Sequence, residues 1–330
     1  MSESLSHVAP GRPMFENLPV GLFGSVVGLT GMSVAWSLAH ARYGVPKGFA
    51  LGCALLAVLT FVLVLAGYSI KLVTAFSAVR TEFRHPITGT LFGVALISMV
   101  LLPIVIEPLA RQLAQGMWIL GATGMVVFSW LTVSRWLTDK HLHVHATPPW
   151  LIPVVGLLNV PLALPALGLP SAQGVTVFCL AVGLFFTIPL FTLILWRLLF
   201  EQPLPDALRP SLLVMLAPFA VGFSTYTIAV GQIDLFAEAL YMITLFLLTV
   251  LLGQLRTLTR CCPFRVSWWA ASFPLAACSV AALRFAAARP SFITDSVAVT
   301  LLALVTFVNL ALLFRTALGV VKGELRDLST

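Results

Sequence analysis

The chain has 330 residues, of which 59% are hydrophobic and only 9% charged. Soluble domains carry about 25% charged residues, so a soluble fold of this length cannot hide so much apolar surface, and the composition specifies an integral membrane protein. The formal charge of +7 then reads as loop topology rather than as a sign of a nucleic-acid partner.

Residues 1–17 (MSESLSHVAPGRPMFEN) are polar and lack an apolar h-region, so the first span is expected to serve also as the insertion signal. A helix needs roughly 20 apolar residues to cross a bilayer. On that rule ten spans follow, at about 18–39, 48–70, 87–106, 110–135, 149–168, 173–199, 211–230, 235–256, 267–287 and 293–315. The expected division is a cytoplasmic N-terminal segment 1–17, one ten-helix transmembrane domain 18–316 and a cytoplasmic tail 317–330. Of the 19 lysines and arginines, 14 fall on the side shared by both termini and five (Arg42, Lys47, Arg111, Arg284 and Arg289) on the other. The positive-inside rule therefore puts both termini in the cytoplasm, as an even number of spans requires. A multi-pass plasma-membrane protein is implied, in the inner membrane if the host is bacterial.

The first span opens with PVGLFGSVVGLTGM, which sets Gly21, Gly24, Gly28 and Gly31 on one helical face. Each glycine costs about 1 kcal/mol relative to alanine in a soluble helix interior. Such a bare stripe serves either a close helix–helix contact or a space kept open. Prolines add a second pattern. Pro103 lies in the third span, Pro153, Pro161 and Pro165 in the fifth, Pro218 in the seventh and Pro274 in the ninth, and Pro19 opens the first. The even spans hold only Pro189. Interior prolines remove a backbone hydrogen bond and kink a helix, and in lipid the freed carbonyl needs a protein partner or a wet cavity. The second and eighth spans, by contrast, are apolar all round, as lipid-facing helices should be. The expected fold is all-α: five helical hairpins, with an inner ring of five kinked odd-numbered helices around a central pore and an outer ring of even-numbered ones. An irregular bundle with ordinary membrane-helix prolines is the alternative.

Charge is scarce at the span centres. Glu107, Asp234, Glu238, Arg284 and Asp295 all fall near the external ends, where interfacial anchoring explains them, and Asp234 and Glu238 are placed to cap the eighth helix. Without a titratable group at mid-depth, passive conduction is favoured over proton coupling. In the ninth span, WWAASFPLAACS places Phe273 before Pro274 among small neighbours. A ring at such a kink either plugs a lumen or packs against lipid and protein. The HLHVH run (His141, His143, His145) lies in a loop without accompanying ligands, so a solvated loop is expected and no metal site. Cys53, Cys179 and Cys278 lie in apolar spans and Cys261–Cys262 in a loop, consistent with reduced thiols. Segment 71–85 mixes bases with Phe76 and Phe83 and is expected to lie at the interface. No enzyme motif or cofactor-binding pattern stands out.

Four stretches, in order, resemble the tellurite-resistance/dicarboxylate transporter family, which includes bacterial TehA and the slow anion channels of plant guard cells. They are LPVGLFGSVVGLTGMSVAW (18–36), EFRHPITGTLF (82–92), LPDALRPSLLVMLAPFAV (204–221) and WWAASFPLAA (268–277). The resemblance implies a homotrimer in which each protomer has its own pore, lined by the five odd helices, with selectivity for small anions of the chloride and nitrate class. It implies a phenylalanine gate, which maps onto Phe273. The pore-lining candidates are Gly21, Gly24, Gly28, Pro103, Pro153, Pro161, Pro218, Ser272 and Pro274, with Arg80, Arg84, Arg209 and Arg265 as basic residues at the cytoplasmic mouth. A proton-coupled carrier of C4-dicarboxylates or tellurite-type oxyanions is the competing reading. Two features depart from several bacterial relatives: Ile188 stands where they carry a glutamate before the proline of the sixth helix (here Pro189), and Leu157 and Leu158 stand where asparagines follow the fifth-helix proline, with Asn159 displaced beyond them.

Overall fold

The computed structural model describes residue 16 and residues 18–169, 172–261 and 264–322, with only the backbone path given for 254–261. Almost all of the N-terminal segment 1–17, the Cys261–Cys262 side chains, those of Arg256 and Arg260, and the tail beyond Lys322 lie outside the described residues. The described chain is helical, with no strand among its elements. Ten helices are long and apolar enough to cross a membrane: Val20–Tyr43, Gly48–Thr74, Thr88–Ile106, Arg111–Thr138, Pro148–Leu167, Gln173–Phe200, Asp206–Val230, Leu235–Gly253, Val266–Ala288 and Phe292–Val321. These match the ten expected spans. The largest differences are at the start of the seventh, which begins at Asp206, and at the end of the tenth, which reaches Val321.

Odd and even spans differ in two ways. The odd ones are 50–83% buried over their most apolar stretch, the even ones 17–39%. The odd ones also begin as 3-10 helix: Val20–Leu22, Thr88–Leu91, Pro148–Leu151, Asp206–Leu216 and Val266–Ala271, with a further run at Gly156–Ala163 inside the fifth. A 3-10 helix has three residues per turn and seldom runs beyond four, so the eleven residues of Asp206–Leu216, with Pro210 inside, are held by tertiary contacts. The fifth span shows how. In a 3-10 turn the carbonyl of Leu158 would be served by the N–H of residue 161, which is a proline and has none. Thr225 Oγ1, from the seventh span, donates to that carbonyl instead. Likewise Trp118 Nε1 donates to Val160 O at 2.9 Å, and Ser129 Oγ donates to Pro153 O. Side chains thus supply the donors that lipid cannot.

The first span packs against the third and the ninth, the third against the fifth, the fifth against the seventh, and the seventh against the ninth. Each even span packs on the odd span that precedes it. The expectation for segment 71–85 needs one correction. Lys71 belongs to the second span and is 4% exposed, and only Phe76–Arg84 forms the short separate helix. Lys71 Nζ donates to Glu82 Oε2 and to Leu18 O, each at 2.7 Å. Glu82 also accepts the Val20 N–H at 2.8 Å and the Tyr68 hydroxyl at 3.1 Å. A buried ion pair with its remaining lone pairs satisfied therefore ties the start of the first span to the second span and the short helix.

Candidate functional site

The N-terminal halves of the five odd spans enclose a cavity of ≈ 290 Å³. Its wall is built mainly by the 3-10 segments: Gly21, Thr88, Leu91, Pro149, Leu151, Gly156, Asn159, Leu208, Ser211, Val214, Val266 and Trp269 all face it. The C-terminal halves enclose a second, narrower cavity of ≈ 80 Å³, lined among others by Thr30, Gly31, Leu101, Leu162, Ser224, Ala277 and Arg284. One residue is common to both linings, Phe273. It stands where the 3-10 turn Val266–Ala271 gives way to the α-helix Ser272–Ala288, with Pro274 next in sequence. The half-buried ring lies against Gly31: a Cβ there would sit 3.7 Å from Phe273 Cδ2. The added methyl would meet Ala276 Cβ first, at 2.8 Å, so Gly31 also makes a close contact with the ninth span.

The glycine stripe turns out to serve both purposes posed for it. Gly21 and Gly24 line the first cavity and Gly31 the second. Gly28 instead meets the ninth span, where an added Cβ would lie 2.6 Å from Ser272 Cβ and overlap its hydroxyl. Ser272, fully buried, donates to Trp269 O at 2.7 Å and to Gly24 O at 3.1 Å. Gly28 and Ser272 are thus partners in a helix contact rather than lining residues of either cavity. Of the candidate prolines, Pro274 lines the first cavity. Pro103, Pro153, Pro161 and Pro218 are buried beside residues that line the two cavities, not among them. They shape the wall without forming its surface.

Of the four basic candidates, Arg265 lines the first cavity. Arg80 and Arg84 are exposed on the short helix, and Arg209 pairs with Asp206 at 3.2 Å; none of these three lines the cavity. The acidic residues near the opposite ends are also engaged. Asp295 pairs with Arg42 at 3.1 Å and accepts the Tyr43 hydroxyl at 2.8 Å. Glu238 pairs with Arg289 at 2.9 Å, and Glu107 with Arg111 at 3.8 Å. Asp234 accepts the Ala237 N–H at 3.0 Å, capping the eighth helix, and the Tyr226 hydroxyl at 2.7 Å. In the HLHVH run, His143 Nε2 lies 3.0 Å from Glu201 Oε1.

Two groups of consequence were not singled out from the sequence. Asn159 faces the first cavity, donates to Gly156 O at 3.3 Å and keeps its buried Oδ1 without a partner; its displacement from the usual asparagine position was the available signal. Glu82 was visible only as the first letter of EFRHP, and its partner Lys71 as a base at the edge of an apolar run.

These features define a ten-span helical membrane protein whose odd spans enclose two mostly apolar cavities. Residues 17–317 match the family model described as voltage-dependent anion channel, and the chain belongs to that family of channels and transporters. It is 27% identical over 312 residues to the S-type anion channel SLAH3 of Arabidopsis thaliana, covering 92% of this chain and 48% of the relative. It is 25% identical to the guard cell S-type anion channel SLAC1 of the same plant, over 88% of this chain and 53% of the relative. It is 24% identical to the uncharacterized transporter MJ0576 of Methanocaldococcus jannaschii, over 80% of this chain and 82% of the relative. The chain thus spans about half the length of these two plant relatives.

Proposed function

We propose that the protein is a channel passing small inorganic anions, of the chloride and nitrate class, along the path inside its odd spans, and that the Phe273 ring closes that path at rest. The observation that carries this reading is the position of Phe273 between two cavities that share no other lining residue. The contact order of the odd spans, first–third–fifth–seventh–ninth and back to the first, supports an inner ring around the path. Names of the plant relatives support the choice of anions as permeant. In this reading both termini are cytoplasmic, the first cavity faces the cytoplasm, the protein sits in a plasma membrane, and three copies assemble with one path in each.

A carrier of dicarboxylates or oxyanions driven by protons is the alternative to be tested. Coupling calls for a titratable group in the path, and among the described residues the ionisable ones lining the two cavities are Arg265 and Arg284. Arginine stays protonated at any physiological pH. The deciding experiment sets an outward chloride gradient and, separately, a proton gradient across proteoliposomes. Chloride efflux that depolarises the vesicles and ignores the proton gradient is the expected result. Uptake of succinate driven by the proton gradient, with no chloride flux, would replace the channel reading with the carrier.

A further inference from the structure

Beyond Phe273 the path meets one more feature. An open cleft of ≈ 540 Å³ lies between the first and ninth spans, lined by Leu38, Ala41, Arg42, Leu283, Arg284, Ala287 and Ala288. The residue it shares with the narrow second cavity is Arg284. Wide cavity, narrow cavity and open cleft are therefore joined in series by two side chains, Phe273 and Arg284. They are eleven residues apart on the ninth span, about 16 Å along a helix axis.

The charge at this second junction is uncompensated. At the same end of the molecule Arg42, Arg111 and Arg289 each have a carboxylate partner. Arg284 has neither an ion pair nor a hydrogen bond to any described residue, and it is half-buried inside a membrane span. A guanidinium half-buried in a membrane span without a counter-ion is costly and marks a site where a charge of opposite sign is met. Its planar fork of donors suits an anion that has shed part of its water. Arg42, the other base of the cleft, is neutralised by Asp295, so Arg284 is the net positive charge of this passage.

We propose that Arg284 is the anion-binding residue of the pore's far neck, holding a permeating anion between the narrow cavity and the open cleft and excluding cations there. This rests on the channel reading above, so the test separates the two. The background is Phe273→Ala, reconstituted in planar bilayers with a potassium chloride gradient. Arg284→Gln in that background should lower chloride conductance about tenfold, the change that roughly 1.4 kcal/mol of lost attraction produces. It should also move the reversal potential away from that of chloride, whereas Arg284→Lys should retain most of both properties. Arg284→Cys provides a control inside one folded molecule. A positively charged ethylammonium thiosulfonate reagent, applied on the side of the cleft, should restore current, and its sulfonate analogue should suppress it. Equal conductance and reversal potential in Arg284→Gln and its parent, or no rescue by the positive adduct, would overturn the assignment. No chloride current in the Phe273→Ala parent would overturn the channel reading itself, and this site with it.

Discussion

In the proposed channel Phe273 acts through size and seat. The ring is rigid, sits where the backbone changes from 3-10 to α, and rests over a glycine that leaves room for it. Leucine at this position keeps part of the obstruction, so Phe273→Leu is expected to conduct less than Phe273→Ala, as single-channel currents compared at one voltage would register. Gly28 makes the opposite kind of demand. Gly28→Ala forces a methyl into Ser272, and overpacking of this sort costs about 1–3 kcal/mol; its melting temperature in detergent should fall. Because the severe clash is with Ser272, Asn309 Oδ1 standing farther off at 3.2 Å, Ser272→Gly in the same chain should recover part of the loss, and additive effects in the double-mutant cycle would argue against the contact. The stripe itself was plain in the sequence. Which glycine faces space and which faces a neighbour was not, because a helical repeat records a face and says nothing of what stands opposite it.

At the level of elements, the first span is anchored by a cluster drawn from three segments. Removing one partner of a buried, hydrogen-bonded ion pair is expected to cost about 3–5 kcal/mol. Glu82→Gln should therefore destabilise strongly, because it leaves the Lys71 ammonium buried beside a neutral amide. Adding Lys71→Met should win back part of the loss, read from thermal melts of both variants. At the opposite face Asp234 caps the eighth helix. Its carboxyl is held below the usual carboxylate range, first by the Ala237 N–H and then by the Tyr226 hydroxyl. A carboxyl depressed on folding contributes stability above its unfolded pKa, about 4, and loses it as pH falls through the folded value. Asp234→Asn keeps a capping side chain, so the variant should lose less of its melting temperature on acidification than the parent; an equal loss would remove the cap from the account. The ten spans and the odd-numbered prolines were legible because hydropathy and proline chemistry are local. The 3-10 starts were not, since a proline forbids an α-helical bond without saying which alternative the chain will take. Inside the fifth span, carbonyls of the broken stretch are met by Thr225, Ser129 and Trp118, donors supplied from other spans and invisible to local sequence.

Seen whole, the molecule separates shape from charge. Odd spans are the more buried and even spans the more exposed, and ion pairs such as Arg42–Asp295 and Arg289–Glu238 sit at or beside the ends of the spans. The proposed assembly of three copies carries its own prediction: the 35.5 kDa chain should run in mild detergent at three times its own mass, and a monomer by light scattering would remove the trimer. Arg284 was read from the sequence as an interfacial anchor, and only three-dimensional placement separates it from arginines that have partners. The central claim is that one aromatic ring separates two halves of a continuous anion path. The most direct measurement is the current through reconstituted protein in a chloride gradient, with and without that ring. The account predicts a reversal potential that follows chloride and a larger current from Phe273→Ala. Identical currents from two equally well-folded proteins would contradict it.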